Sequence, residues 1–126
     1  MNETITAHGA PEALGPYCHA KRAGNTLYLS GQLGLDPKTG MLSPGGIEAQ
    51  VRQGLLNMGV VLQSAGLSYR DVVKTTIYLA DMGDFDMMNE IYASIFPTDP
   101  PARTCFQVAA LPKGGLFEID AIAVRG

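Results

Sequence analysis

Three side chains that could take part in a reaction lie close together in the sequence, near the carboxyl end of the chain. Residues 101–124 read PARTCFQVAALPKGGLFEIDAIAV, and they place Arg103, Cys105 and Glu118 inside two runs of strand-like residues. Charged side chains are among those least often fully buried, because desolvating a charge without a partner is costly or shifts its ionisation. The two charges therefore require an explanation.

The spacing of these residues predicts which of them share a face. The first run has a period of two, so Arg103 and Cys105 lie side by side on one face of a strand. The second run alternates in the same way and places Glu118 and Asp120 on one face. Residues 111–115 between the runs are rich in turn formers, so the runs are predicted to pair as a hairpin with Glu118 near its turn.

An arginine and a glutamate together suit the hydrolysis of a small molecule that carries a carboxylate. A guanidinium binds a carboxylate through two parallel hydrogen bonds, and a glutamate can accept a proton from water. The alternative is that Arg103 and Glu118 are solvated or salt-bridged strand residues, and spacing alone leaves both interpretations open. Covalent catalysis by Cys105 is disfavoured, because the sequence places no histidine beside it to act as a base.

Length and composition limit the classes of protein to which the chain can belong. A chain of 126 residues predicts a single domain, residues 1–126, and 46% hydrophobic with 17% charged residues is typical of a soluble globular protein. No apolar run approaches the roughly 20 residues that cross a bilayer, and the first residues lack the pattern of a secretory signal. The two cysteines are expected to be reduced thiols, so a cytoplasmic location is predicted.

The charge balance and the histidines exclude further classes. A net charge of −3, with nine scattered lysines and arginines, argues against nucleic acid as a partner. His8 and His19 have no metal-ligand spacing to each other or to the cysteines, so no metal site is expected. His19 is interpreted as a hydrogen-bonded polar residue rather than a base.

The remaining patterns predict the elements that would position these residues. An apolar stripe from Ile47 to Leu62 predicts a long helix ending near Gly66, and a second helix is predicted after a cap at Asp84. Strands are predicted at Leu27 to Ser30, ending at Gly31, and at Val72 to Leu79. The order predicts an α+β fold, a mixed sheet with two helices on one face. The other face is expected to carry Leu, Ile and Val and to be covered by another copy of the chain in a closed ring.

Several ordered motifs resemble one family, the Rid (YjgF) reactive-intermediate deaminases. They are PARTCFQVAALP with EIDAIAV, GPYCHA from Gly15, LSGQLGLDPKTG from Leu29, DVVKTTIYLADMGDF from Asp71, and the helix that carries Asn89 and Tyr92. The resemblance implies a chorismate-mutase-like fold, homotrimers with sheets packed around a central barrel, and ligand pockets in the clefts between subunits.

The resemblance also implies an activity and roles for residues. The activity is hydrolysis of 2-imino acids such as 2-iminobutanoate and 2-iminopropanoate, and of their enamine tautomers, to 2-oxo acids and ammonia, without a cofactor. The residues matched to the family's site are Arg103 as carboxylate anchor, Glu118 as the residue that directs water, Cys105 at the reacting end of the substrate, Tyr17 and Ser30 in the pocket, and Gly31 where the backbone approaches the ligand.

Two other functions compete with this activity. A non-enzymatic trimer that binds small carboxylates as a sensor or regulatory protein would need the anchor but not the water-directing glutamate. A ribonuclease or translation inhibitor, a function attached to relatives, is disfavoured by the acidic balance and the lack of a basic, aromatic groove. The short 96–101 connection and Phe106 leave the preferred substrate open.

Overall fold

The computed structural model describes residues 2–126. This part of the chain forms six strands and two α-helices. In order, they are β1 (Glu3–Ile5), β2 (Ala20–Ala23), β3 (Thr26–Leu33), α1 (Gly46–Ser64), β4 (Val72–Leu79), α2 (Phe85–Ile95), β5 (Ala102–Gln107) and β6 (Phe117–Val124).

All six strands form one mixed sheet in the order β1-β2-β3-β6-β4-β5. Strand β5 runs parallel to β4, and every other neighbouring pair is antiparallel. The α+β prediction, with both helices packed on one face of a mixed sheet, is confirmed. Neither helix among residues 2–126 combines the length and the hydropathy that a membrane crossing requires.

The predicted hairpin between the last two strands is wrong. Strand β5 pairs only with β4 at the sheet edge, whereas β6 lies in the interior between β3 and β4. The burial of β6 explains its place, because alternate residues from Phe117 to Ala123 are buried and need the cover that the centre of the sheet provides. Helix α2 provides the crossover that two parallel strands require.

Strand β3 does not end at Gly31 as predicted, but continues to Leu33. Its pairing with β6 shifts register between Leu29 and Gln32, so Gly31 lies within an irregularity of the strand. Such bulges redirect side chains locally, and glycine often marks them.

Both helices contribute buried residues to the core between them and the sheet. The predicted apolar stripe of α1 is confirmed, since Val51, Leu55, Met58 and Leu62 are all buried. The predicted second helix is present as α2, and its buried residues are Met88, Ile91 and Tyr92. The Asp84 side chain, however, makes no capping hydrogen bond.

The opposite sheet face is not the aliphatic surface that the sequence suggested. Strand register and alternation place on it Tyr28, Lys74, Thr76, Tyr78, Glu118, Asp120, Ile122 and Val124. Most of these side chains are polar or aromatic, because the large aliphatic residues of β4 and β6 point towards the helices. We call this surface the open face.

A buried asparagine joins α1 to the end of β3. Asn57 is 1% exposed, and its Nδ2 donates to the carbonyl oxygens of Leu33 and Leu35 at 3.1 and 2.9 Å. Its Oδ1 accepts from Gln53 Nε2 at 2.8 Å. All its hydrogen bonds are therefore made inside the protein, and they hold the segment after β3 against α1.

We expect Asn57→Ala to destabilise the fold, because it leaves two carbonyl groups without their side-chain donor. The expected cost is about 1 to 3 kcal/mol for each group that stays buried and unpaired. Urea unfolding at one fixed protein concentration measures it, with exposed Gln63→Ala of the same helix as control. Equal unfolding midpoints for the two variants would contradict the assignment.

Candidate functional site

Arg103 lies on the edge strand β5 and points under helix α2. Its register partner on β4 is Thr75, which is fully buried on the helix side of the sheet. The guanidinium carbon lies 5.6 Å from the ring centroid of Phe85 and 4.9 Å from that of Tyr92. Both distances are within the range of cation–π interaction. Two aromatic rings of α2 therefore fix the position of the guanidinium.

A further hydrogen bond holds one of these rings. The hydroxyl of Tyr92 and Oγ1 of Thr75 lie 2.8 Å apart, which ties α2 to β4 directly beside Arg103. Burial raises the pKa of Tyr92, while the Thr75 hydrogen bond and the Arg103 charge act in the opposite direction. Tyr92 therefore remains a neutral aromatic support at physiological pH.

The charge of Arg103 has no anionic partner in the part of the chain that the structure describes. The ion pairs within residues 2–126 are Arg22 with Glu3 and Arg52 with Glu48, and the nearest polar contact of Arg103 is from Nη1 to the Met88 sulfur at 3.9 Å. A part-buried guanidinium usually has a carboxylate or phosphate partner. Arg103 thus retains its donors for an external anion.

Cys105 follows Arg103 on the same face, two residues along β5. Burial raises the pKa of its thiol, and the nearby Arg103 charge only partly opposes this effect. The reactive form of cysteine is the thiolate, so these surroundings disfavour a nucleophilic Cys105. His19 is not its base, since His19 Nδ1 accepts from the Ala7 amide and Nε2 donates to the Pro11 carbonyl.

Asn89 belongs beside Arg103, although the sequence reasoning assigned it no role. It lies one turn after Phe85 and almost one turn before Tyr92, so it shares the helix side that supports Arg103. Its Oδ1 is buried and has no hydrogen-bond partner. Buried polar atoms are normally paired, so Asn89 offers a free acceptor. The sequence signal was an amide within an otherwise apolar helix stripe.

Glu118 lies on β6 with its side chain on the open face. The carboxylate packs against the backbone of Gly31, and any side chain at that glycine would overlap Oε2. Gly31 is therefore required for the close approach of Glu118. Burial is the main cause that raises the pKa of Glu118, and the negative charge of Asp120 adds to it.

Ser30 precedes Gly31 on β3, and a hydrogen bond links it to the segment that carries Tyr17. Ser30 Oγ donates to the Cys18 carbonyl at 2.6 Å, which ties the segment 15–19 to strand β3. The Tyr17 hydroxyl accepts from the Leu14 amide at 3.0 Å, and 48% of the residue is exposed. Ser30 thus positions the Tyr17 segment, and Tyr17 presents its ring at the surface.

The predicted site residues separate into two groups on opposite faces of the sheet. Thr75, the partner of Arg103, points to the helices, whereas Tyr78, the partner of Glu118, lies three residues further along β4 and points to the open face. Arg103, Cys105 and Asn89 form one group, which we call the anchor group. Glu118 with Gly31, Ser30 and Tyr17 forms the other, which we call the glutamate group.

No metal cluster accompanies either group. Within residues 2–126, no three His, Cys, Asp or Glu side chains converge as metal ligands would. A surface cavity of about 590 Å³ lies between residues 68–70 and 95–99, and neither Arg103 nor Glu118 lines it.

Comparison with known proteins identifies the family. The sequence profile of the family described as endoribonuclease L-PSP matches residues 7–125. A mouse protein named 2-iminobutanoate/2-iminopropanoate deaminase is 49% identical over 126 residues, which cover 100% of this chain and 93% of the relative.

Solved structures agree with this match. The YjgF gene product of E. coli is 41% identical with a TM-score of 0.93, and the match covers 98% of this chain and 99% of that chain. E. coli TdcF, solved with bound serine, is 38% identical with a TM-score of 0.94 over the same shares of both chains. The resemblance seen in the sequence motifs is thus confirmed, and the chain belongs to the endoribonuclease L-PSP family, which is the Rid (YjgF) family.

Proposed function

We propose that the protein is an enzyme that hydrolyses 2-imino acids and their enamine tautomers to 2-oxo acids and ammonia. The observation that carries this proposal is the guanidinium of Arg103, which two aromatic rings hold in place without any anionic partner. A small carboxylate would supply the missing anion. The mouse relative's name, 2-iminobutanoate/2-iminopropanoate deaminase, supports this substrate class.

The proposed reaction needs only groups that the chain supplies. Arg103 binds the substrate carboxylate through two parallel hydrogen bonds. Glu118 accepts a proton from water as the water oxygen bonds to the imine carbon, and this proton then passes to nitrogen. The carbon–nitrogen bond then breaks as Glu118 carries the hydroxyl proton of the adduct to nitrogen and the carbonyl forms, so both protons of the water leave in ammonia. An imine is already electrophilic, so orientation and one proton shuttle suffice. Asn89 Oδ1 would accept a hydrogen bond from the substrate nitrogen.

We infer that each site is shared between copies in a homotrimer. Arg103 and Glu118 of one chain lie on opposite faces of its sheet, so one chain cannot apply both to one small molecule. Strand β5 is an edge strand, and edge strands are where a second copy can approach. The anchor group of one copy would therefore meet the glutamate group of its neighbour.

The setting of Glu118 favours an enzyme over a carboxylate sensor. A half-buried carboxylate with a raised pKa is a better base than an exposed one, whereas ligand binding by Arg103 alone does not need such a group. Removal of reactive imines before they damage other enzymes would be the physiological role. The free thiols of Cys18 and Cys105 are in keeping with a cytoplasmic location.

We expect Arg103→Ala to lower kcat/KM for 2-iminobutanoate about 10- to 150-fold, because one charge-assisted pair with the carboxylate is lost. Arg103→Lys keeps the charge but not the two parallel donors, and should fall between the native and alanine proteins. The assay couples a threonine dehydratase to the protein and follows loss of the imine. Exposed Arg70→Ala is the control, and native activity of Arg103→Ala would contradict the anchor role.

We expect Glu118→Gln to reduce kcat about 10²- to 10⁴-fold with little change in substrate binding, because the glutamate acts as a general base. Its raised pKa places the acidic limb of the native kcat/KM profile at higher pH than an ordinary glutamate would give, since the base must be deprotonated. Rate measurements across pH check this limb. If Glu118→Gln bound the product 2-oxo acid normally and the native protein had no activity, the sensor would be favoured.

Mixing the two inactive variants tests whether the site is shared. Arg103→Ala and Glu118→Gln chains, unfolded together and refolded as mixed trimers, should regain activity. With random assembly, roughly a quarter of the shared sites would carry both native residues, because each half is native in half of the copies. Each variant refolded alone is the control. Mixed trimers without activity above these controls would contradict a shared site.

A further inference from the structure

A second carboxylate lies beside Glu118 on the open face and is held by a tyrosine. Asp120 follows Glu118 by two residues on β6 and therefore points to the same side. The Tyr78 hydroxyl donates to Asp120 Oδ2 at 2.7 Å. Tyr78 is in turn the register partner of Glu118 on β4. Tyr78 thus binds one carboxylate and lies beside the residue that carries the other.

The tyrosine is itself fixed by its neighbour on the edge strand. The rings of Tyr78 and Phe106 meet edge to face, with centroids 5.3 Å apart and planes at 79°. This arrangement is favourable for an aromatic pair. The hydrogen bond to Asp120 raises the pKa of Tyr78 to about 12, with burial as the next cause. Tyr78 therefore keeps its proton at physiological pH, and its bond to Asp120 persists.

No cation within residues 2–126 neutralises Asp120 by an ion pair. The titratable groups that share the open face are Lys21 from β2, Tyr28 from β3, Lys74 and Tyr78 from β4, and Glu118 and Asp120 from β6. The Lys21 ammonium donates to Thr4 Oγ1 at 2.8 Å. The Lys74 ammonium donates instead to the Thr75 carbonyl and to Thr104 Oγ1, and β5 adds only uncharged side chains to this face, those of Ala102, Thr104 and Phe106. The negative charge of Asp120 therefore acts on Glu118 without an ion-pair partner.

We propose that Asp120, held in place by Tyr78, is a positioning residue that tunes Glu118 as the base of the reaction. This inference rests on the proposed function and adds two residues to it. Neither Asp120 nor Tyr78 contacts the substrate in this scheme. A fixed negative charge close to Glu118 disfavours the ionised form of that glutamate, in the same direction as its burial.

The chemical benefit follows from the proton that Glu118 must carry. A carboxylate with a raised pKa takes a proton from water more readily and holds it until nitrogen accepts it. Burial alone would raise this pKa, but burial also limits how the carboxylate meets water. The negative charge of Asp120, two residues along the same strand, gives a second means of raising the pKa of Glu118. It leaves the packing of Glu118 against Gly31 unchanged.

The test measures the ionisation of Glu118 directly in the full protein. The ¹³C resonance of the Glu118 carboxyl group, assigned by its absence in Glu118→Gln, is followed across pH in native protein and in Asp120→Asn. Asparagine keeps the size of the side chain and an oxygen that can accept from Tyr78, and it removes only the charge. Glu90→Gln, an exposed position on α2, removes the same charge elsewhere and serves as control.

We expect the Glu118 titration midpoint to move to lower pH in Asp120→Asn and to stay unchanged in Glu90→Gln. Tyr78→Phe should move it in the same direction by less, because Asp120 keeps its charge but loses its fixed position. The acidic limb of kcat/KM should move to lower pH with the NMR midpoint, with a plateau kcat reduced by less than about tenfold.

The outcomes separate this inference from the proposed function. If the midpoint of Glu118 is the same in Asp120→Asn and Glu90→Gln, Asp120 does not tune Glu118, whether or not the protein is active. If the midpoint moves as expected but the native protein does not deaminate imines, the electrostatic link is correct and the proposed function is wrong. A change in stability or subunit assembly of Asp120→Asn without a moved midpoint would assign Asp120 a structural role and overturn the proposal.

Discussion

The structure of the site depends on a cation, Arg103, that is partly removed from water and forms no ion pair within residues 2–126. Withdrawing a guanidinium from solvent carries a large cost unless other groups compensate for it. The rings of Phe85 and Tyr92 offset part of this cost through cation–π interactions with the guanidinium. A hydrogen bond with the Thr75 hydroxyl holds Tyr92 in place. These contacts hold Arg103 while its hydrogen-bond donors stay free. An arginine in such surroundings is organised in advance for a carboxylate.

The alternation of strands then determines how the rest of the site is assembled. In any strand, neighbouring side chains point to opposite faces, so a residue under the helices and one on the open face cannot act on the same small ligand. Arg103 and Glu118 are separated in this way. Two features are incomplete within one chain, a cation without an ion-pair partner and a glutamate on an uncovered face. In the proposed homotrimer, each would complement the other. Association and chemistry would therefore depend on the same surfaces.

Local patterns in the sequence predicted the local elements well. The bounds of β4 and the buried stripe of α1 follow from side-chain period alone, and Arg103 and Cys105 share a face as their spacing required. Strand pairing was not predictable in the same way. A turn-rich segment links β5 to β6, yet β6 inserts between β3 and β4, because its buried side chains need cover from both helices and neighbours on both sides. Spacing placed Asp120 on the face of Glu118, but the bond from Tyr78 that supports its proposed role joins residues far apart in the sequence. The buried, unpaired oxygen of Asn89 is likewise visible only in the folded chain.

Gly31 illustrates how one small residue connects the fold to the chemistry. The sequence suggested that this glycine ends a strand and lets the backbone approach a ligand, whereas its vacant side-chain position is filled by the carboxylate of Glu118. The irregular pairing of β3 at this point places the glycine under the glutamate. A methyl group there would force the carboxylate away from its position, with Ser30 and the Tyr17 segment directly adjacent. The constraint on Gly31 is therefore steric and comes from within the chain. A side chain at this position would be accommodated by displacing the carboxylate of the proposed base, so the consequence of a substitution would fall on Glu118.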